Sequence, residues 1–303
     1  MIGKSWWRGF LVRGVLWRKA LLWAVLNVPI FLEPAVIAFW TALFFLWRPI
    51  RHGAMLNLKA IFPRSTLVGN LFRTYRLLWN FAWTMTDNVR FSELETVPDW
   101  EFVGFEHYQR LQSHKGGAII LTAHMGSYDL GAQLLSTRGD RKLTIVRAPE
   151  PDPETQAYEA RAHQRSTAAS VRTDYNTRAT ALAFELMAAL QAGEIVAIQG
   201  DRVTGAIASI PSQLFGHSTL LPSGPFALAM AARVPIFPLF VIRLGRRRYR
   251  LLTCAPISVE RTSRDRDADL RGGVTAWSET LERVIREHWY QWYTFEPFYP
   301  PSS

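Results

Sequence analysis

Short apolar runs and amphipathic stretches alternate over most of this chain. Runs of about five apolar residues at 117–121, 142–146 and 195–199 are bounded by polar or glycine residues and predict buried strands of a parallel sheet. Apolar positions elsewhere recur every three or four residues, as at 178–191, which predicts helices. We therefore expect an α/β fold in which helices flank a mostly parallel central sheet.

The first fifty residues follow a different pattern. Residues 1–19 mix basic and aromatic side chains at spacings typical of a helix that lies in a membrane interface. Residues 20–47 are almost entirely apolar, with Glu33 as the only charge and two prolines as breaks. This pattern indicates a helix that spans a membrane, a broken hairpin that inserts into one leaflet, or a hydrophobic core helix. We expect residues 1–50 to anchor the protein in a membrane and residues 51–303 to form the α/β domain.

One candidate for chemistry follows the strand at 117–121. The chain continues as His124-Met-Gly-Ser-Tyr-Asp129 and then as a stretch that predicts a helix. His124 would lie at the tip of the strand and Asp129 in the first helical turn, in the crevice where open α/β sheets bind ligands. A carboxylate on one imidazole nitrogen leaves the other free to take a proton from a hydroxyl. We predict His124 as a general base and Asp129 as the residue that orients it; the alternative is a capping Asp and a His bonded to backbone.

Charged residues also end the neighbouring strands. Arg147 follows the run at 142–146, and Asp201 and Arg202 follow the run at 195–199. In a parallel sheet these positions face the crevice that holds His124. The guanidinium fork suits phosphate, so we predict that Arg147 and Arg202 bind substrate phosphates and that Asp201 anchors an arginine or a polar acceptor group. For Arg147 a solvated charge at the strand end is the alternative.

Two further positions complete the predicted site. Backbone N–H groups near Gly126 are candidates for holding an oxyanion. Ser223 precedes Gly-Pro at the start of a predicted helix, whose N-terminus would attract an anion. The seven histidines are scattered and Cys254 is the only cysteine, so we predict no metal and no disulfide. The sequence contains no Gly-Lys-Ser/Thr loop, no Gly-x-Gly-x-x-Gly after a strand and no Gly-x-Ser-x-Gly elbow.

Composition narrows the class of protein. The chain has 303 residues, 49% hydrophobic, with 12 Trp and 18 Phe, which indicates an ordered protein at a lipid interface. Its formal net charge is +10, which suits nucleic acid, an anionic membrane, an acidic carrier protein or a phosphorylated glycolipid.

Several motifs together resemble one family. The His124 motif resembles the His-x4-Asp/Glu signature of the lysophospholipid acyltransferase superfamily, and more narrowly of the bacterial lipid A late acyltransferases, although Asp129 stands where that narrower family usually has Glu. Further blocks are similar and in the same order over roughly residues 50–299. They are Leu56 to Pro63, Gly200 to Gly205, Phe215-Gly216, Val234 to Pro238 and the aromatic stretch Trp289 to Tyr299.

The resemblance implies a membrane-associated O-acyltransferase. It would move a fatty acyl chain from a thioester of acyl carrier protein or coenzyme A to a hydroxyl of a lipid A precursor-like glycolipid. The implied location is the cytoplasmic face of a bacterial inner membrane, with no cofactor beyond the donor, no metal and no nucleic acid partner. The alternatives are acylation of another lysolipid, such as a glycerophospholipid or ornithine lipid, and a non-catalytic basic protein that binds membrane surfaces.

Overall fold

The computed structural model describes residues 15–94, 96–138, 141–149, 152–157, 171–176, 179–203 and 207–299. The strands are β1 (Asp99–Val103), β2 (Ala118–Thr122), β3 (Leu143–Arg147), β4 (Val171–Tyr175), β5 (Ile195–Gln199), β6 (Ser209–Leu214), β7 (His217–Pro222), β8 (Ile236–Gly245) and β9 (Arg248–Thr253). The longer helices are α1 (Val15–Asn27), α2 (Glu33–Leu46), α3 (Arg48–Ile61), α4 (Leu67–Leu94), α5 (Phe105–Ser113), α6 (Tyr128–Arg138), α7 (Ala179–Gln191), α8 (Gly224–Ala232) and α9 (Arg266–His288), and the 3-10 helix Trp289–Gln291 follows α9.

Seven of these strands form one sheet. Their order is β1-β9-β8-β2-β5-β3-β4, and β6 pairs with β7 in a separate antiparallel hairpin. Neighbours in the large sheet are parallel except for β8 and β9. The predicted α/β fold with a mostly parallel sheet is therefore confirmed. Because β2, β5 and β3 are adjacent and parallel, their carboxyl ends lie side by side at one edge.

The central strands are apolar because both of their faces are covered. All five residues of β2 are buried, as are the first eight residues of β8. Alternate residues of β2 enter two different apolar clusters, with Ile119 in one and Ile120 in the other. A strand covered on both faces reads as a continuous apolar run, which is why β2, β3 and β5 could be predicted from sequence.

The edge strand β4 was not predicted. The sequence pattern predicts a polar helix at 154–171; residues 158–170 lie outside the described residues, and residue 171 begins β4 rather than ending a helix. Its sequence, Val-Arg-Thr-Asp-Tyr, has no apolar run because β4 closes one end of the sheet and no residue of it is fully buried.

The apolar N-terminal segment forms two helices instead of one. Helices α1 and α2 have 13 and 14 residues, and the break between them contains Pro29. Within the residues that the structure describes, no helix is both long and apolar enough to cross a membrane. Residues 1–14 of the predicted interfacial helix lie outside the described residues.

A buried ion pair joins this segment to the rest of the fold. Glu33, the only acid among residues 20–47, is 4% exposed and pairs with Arg90 of α4. Its other oxygen accepts a hydrogen bond from Arg246, in the turn between β8 and β9, at 2.7 Å. The two predicted parts of the chain, residues 1–50 and 51–303, are thus held together by a carboxylate that water scarcely reaches.

Breaking this pair should loosen the N-terminal helices. Glu33→Gln leaves Arg90, which is 6% exposed, without its counter-charge, and a broken buried pair typically costs about 3 kcal/mol or more. We expect limited trypsin digestion to cut the variant faster than wild type at Arg51, just after α2. Glu101→Gln is the matched control, because it breaks an exposed pair with Arg250 and should not change the rate. Identical digestion of Glu33→Gln and wild type would contradict this role of Glu33.

Candidate functional site

The ends of β2 and β5 bring His124 and Asp201 together. Asp201 Oδ1 lies 2.7 Å from His124 Nδ1 and also accepts the backbone N–H of His124 at 3.2 Å. The Asp201 side chain has no exposed surface, whereas the imidazole is 33% exposed. A carboxylate only accepts hydrogen bonds, so Nδ1 carries the proton and Nε2 has a free lone pair. Among the described residues, none hydrogen-bonds to Nε2.

Asp201 remains ionised although it is buried. Burial acts to raise the pKa of this carboxyl group, but the electrostatic attraction of His124 and Arg202 and hydrogen bonds from His124 and Trp292 outweigh that effect. Together they hold the pKa of Asp201 well below its usual range. Oδ2 accepts from Trp292 Nε1 at 3.1 Å and from Arg202 at 3.3 Å. With partners on both oxygens, the carboxylate cannot rotate away from the imidazole.

The turn after His124 depends on Gly126. Gly126 has a φ of +55°, and a Cβ at this position would lie 1.7 Å from the carbonyl oxygen of Val241. Its N–H donates to the carbonyl of Gln291 at 3.0 Å, and the Ser127 N–H donates to the carbonyl of Val241 at 3.0 Å. Backbone N–H groups near Gly126 were candidates for holding an oxyanion, and in the structure those of Gly126 and Ser127 donate to carbonyls that stabilise the turn.

The C-terminal segment forms the back of the site. The Gln291 side chain donates to the carbonyl of Arg243 and accepts its N–H, both at 2.8 Å, and so ties the segment to β8. The Tyr293 N–H donates to the carbonyl of His124 at 2.8 Å. Trp292 was not among the residues predicted for the site, although it touches Asp201 directly. The aromatic stretch at 289–299 was the only sequence signal that pointed to it.

Asp129 is paired with Arg147. The Arg147 guanidinium donates to Asp129 and lies 5.4 Å from the centre of the Tyr128 ring. Burial acts to lower the pKa of Arg147, but the neighbouring Asp129 and Tyr128 raise it above its ordinary value. Asp129 was predicted to orient His124, and in the structure Asp201 occupies the position beside His124 Nδ1.

The remaining predicted residues differ in their relation to His124. Arg202 lies in the same cluster, since it contacts Asp201 and donates to the carbonyl of Tyr293 at 3.2 Å. Ser223 precedes α8 without making a side-chain cap, and its N–H donates to the carbonyl of Ala208. None of the hydrogen bonds between described residues joins Ser223 to His124. No cluster of His, Cys, Asp and Glu that could hold a metal ion occurs in the described part of the chain.

Comparison with known proteins gives one match. A family model described as bacterial lipid A biosynthesis acyltransferase matches residues 4–299, which include the His124 turn, Asp201 and the C-terminal aromatic segment. A search of curated proteins finds no significant match.

The geometry of the turn can be tested with one glycine substitution. Gly126→Ala should lower the free energy of unfolding by at least about 2 kcal/mol, because a left-handed conformation and a steric clash act together. Gly272→Ala in α9 is the control, because a Cβ there has no neighbour within 4 Å and alanine favours a helix. The free energy of unfolding of this variant should equal or exceed that of wild type. Chemical denaturation of both variants measures this, and equal stabilities would contradict the described turn.

Proposed function

The chain belongs to the bacterial lipid A biosynthesis acyltransferase family, as its motifs predicted, and we propose that it acylates a hydroxyl of a lipid A precursor-like glycolipid. The donor in this proposal is a fatty acyl thioester of acyl carrier protein or coenzyme A. The observation that carries the proposal is the His124–Asp201 pair, in which a buried carboxylate holds Nδ1 and leaves Nε2 free.

The proposed reaction is a direct transfer. His124 Nε2 takes the proton of the acceptor hydroxyl while the hydroxyl oxygen attacks the thioester carbonyl carbon. The tetrahedral intermediate collapses, the C–S bond breaks, and the imidazolium gives its proton to the departing thiolate. Asp201 stabilises the imidazolium between these steps and keeps the ring in one orientation. An ester and a free thiol are the products, and no other reactant is needed.

The surroundings of His124 favour attack by substrate over attack by the protein. Ser127 lies three residues after His124, but its side chain is fully buried and donates to Asn88. Cys254 is also buried, and burial raises the pKa of its thiol, which keeps it protonated. Neither residue is suited to form an acyl-enzyme.

The two predicted arginines have different parts in the proposal. Arg202 keeps a quarter of its side chain exposed beside His124 and is the candidate for a phosphate of the acceptor or donor. Arg147 is only 14% exposed, and Asp129 compensates its charge. We therefore assign Asp129 the task of fixing Arg147 and leave the orientation of His124 to Asp201.

Membrane attachment follows from the exposed apolar side chains. Lipid A biosynthesis acyltransferases are membrane-associated in general. Of the nineteen exposed large apolar side chains found among the described residues, thirteen lie between Leu16 and Phe72. We propose that this N-terminal apolar surface inserts into the cytoplasmic leaflet of a bacterial inner membrane, with nearby arginines on anionic headgroups. Its members are Leu16, Trp23, Leu26, Ile30, Phe31, Leu32, Phe39, Leu43, Leu46, Leu56, Leu67, Val68 and Phe72.

The roles of the two aspartates can be separated by kinetics. Asp201→Asn should reduce kcat by about 10²–10⁴-fold, as should His124→Ala, because the base loses its orientation or is absent. Asp129→Asn should reduce it less, since it leaves the His124–Asp201 hydrogen bond in place. The assay measures acyl transfer to a purified tetraacyl or pentaacyl lipid A precursor from acyl carrier protein and coenzyme A thioesters, with products identified by mass spectrometry.

The same assay separates the competing functions. Transfer to lysophospholipids or ornithine lipids, with none to lipid A precursors, would replace the proposed acceptor. Membrane binding with no transfer to any of these acceptors would favour a non-catalytic surface protein. Wild-type rates in His124→Ala would exclude the proposed base.

Membrane insertion is best tested by point substitution, because truncation at residue 50 would also remove Glu33 from its buried arginine. Phe31→Ser should weaken binding to vesicles of phosphatidylethanolamine and phosphatidylglycerol about tenfold, as expected for one lost buried phenylalanine. Phe184→Ser is the matched control, since the two phenylalanines are 76% and 74% exposed and Phe184 lies in α7. Vesicle flotation measures both variants, and equal binding would contradict the proposed surface.

A further inference from the structure

The proposed transfer develops negative charge on the carbonyl oxygen of the acyl group, and this charge needs hydrogen-bond donors. Gly126 and Ser127 cannot supply their backbone N–H groups, because both are bonded to carbonyls of the C-terminal segment and β8. Suitable donors must therefore be sought elsewhere at the carboxyl edge of the sheet, on residues close to His124.

Three buried donors at this edge, Gln199 Nε2, Arg147 Nε and Arg202 Nε, make no hydrogen bond to the described residues. Arg202 lies beyond the end of β5 and does not line the cavity described below. Gln199 ends β5 and pairs in register with Thr122, the last residue of β2, while Arg147 ends the next strand, β3. Buried polar groups in folded proteins nearly always have a partner, so two unpaired donors on neighbouring strand ends indicate that a ligand supplies the acceptor.

Gln199 and Arg147 both line one cavity. It lies between the sheet and α6, has a volume of about 40 Å³, and has mostly aliphatic walls. Its lining includes the polar residues Gln199, Arg147 and Thr122 and the apolar residues Ile120, Ala132, Leu135, Leu143, Ile145 and Leu239. This volume accommodates about three groups of the size of water. It matches a carbonyl group and its first two carbon atoms.

The cavity and the base lie at the same edge of the sheet. Thr122, which lines the cavity, is the last residue of β2, and His124 follows it by two residues.

We propose that Gln199 and Arg147 form the oxyanion hole of this enzyme, with Gln199 as a catalytic residue. The inference rests on the proposed acyl transfer. As the acceptor oxygen bonds to the carbonyl carbon, the C=O π electrons move to the oxygen, which accepts from Gln199 Nε2 and Arg147 Nε. The electrons return when the C–S bond breaks, and the α- and β-carbons of the acyl group lie against the aliphatic walls.

This role predicts opposite effects of one substitution on activity and on stability. Gln199→Leu removes the donor at similar volume and should reduce kcat by about 10²–10³-fold, with less than a threefold change in KM for the acyl donor. Its melting temperature should equal or exceed that of wild type, because an unpaired buried donor has been replaced by an apolar group. A side chain that only supports the fold would instead lower stability together with activity.

A second variant and a control complete the kinetic test. Gln199→Glu provides a carboxylate without an N–H donor and should lose at least as much activity as Gln199→Leu. Thr144→Val is the matched control, since Thr144 Oγ1 is also buried and unpaired but Thr144 does not line the cavity. This variant should stay within twofold of wild type in kcat.

Ligand binding separates the oxyanion hole from general donor binding. An acyl donor analogue with a thioether in place of the thioester lacks the carbonyl oxygen, so it should bind wild type and Gln199→Leu equally. Wild-type kcat in both Gln199 variants, or weaker binding of the thioether analogue to them, would overturn the proposal. If His124→Ala is inactive while the Gln199 variants are fully active, only this inference fails. If wild type transfers no acyl group to any acceptor, the proposed function is wrong, and the oxyanion hole that rests on it is wrong as well.

Discussion

A single carboxylate with no exposed surface holds the candidate site together. Asp201 binds the imidazole and the backbone N–H of His124 through one oxygen, and Trp292 and Arg202 through the other. Four groups from three parts of the chain therefore converge on one negative charge. Burying this charge without such partners would cost a large amount of free energy. Because the charged partners and hydrogen bonds keep the carboxylate ionised, the imidazole is fixed with its proton on Nδ1.

The rest of the fold holds the three contributors in place. Parallel pairing of β2 and β5 sets the ends that carry His124 and Asp201 side by side. The C-terminal segment is attached to β8 through Gln291 and to the His124 turn through Gly126, so Trp292 reaches Asp201 from behind. At the other end of the chain, Glu33 ties the apolar N-terminal helices to α4 and to the turn between β8 and β9. The exposed apolar surface of these helices is thereby attached firmly to the part of the chain that carries His124.

Local sequence pattern predicted the strands and their ends but not which charges meet there. Continuous apolar runs identify β2, β3 and β5 because both faces are covered, and parallel pairing then brings His124, Arg147, Asp201 and Arg202 to one edge. The choice between Asp129 and Asp201 as the partner of Nδ1 depends on a left-handed residue, Gly126, and on a hydrogen bond to Gln291, 165 positions along the chain. No local pattern carries that information. The edge strand β4 was not predicted, for a related reason. Its residues are not fully buried, so its sequence contains no continuous apolar run.

The protonation of His124 is the most direct measure of this arrangement. In protein labelled with ¹⁵N-histidine, the His124 signals can be assigned by comparison with His124→Ala. At a pH at which the ring is neutral, we expect a proton on Nδ1, an unprotonated Nε2, and a strongly hydrogen-bonded Nδ1–H signal that disappears in Asp201→Asn and persists in Asp129→Asn. A proton on Nε2 in the wild-type protein, or a signal lost only in Asp129→Asn, would contradict the account.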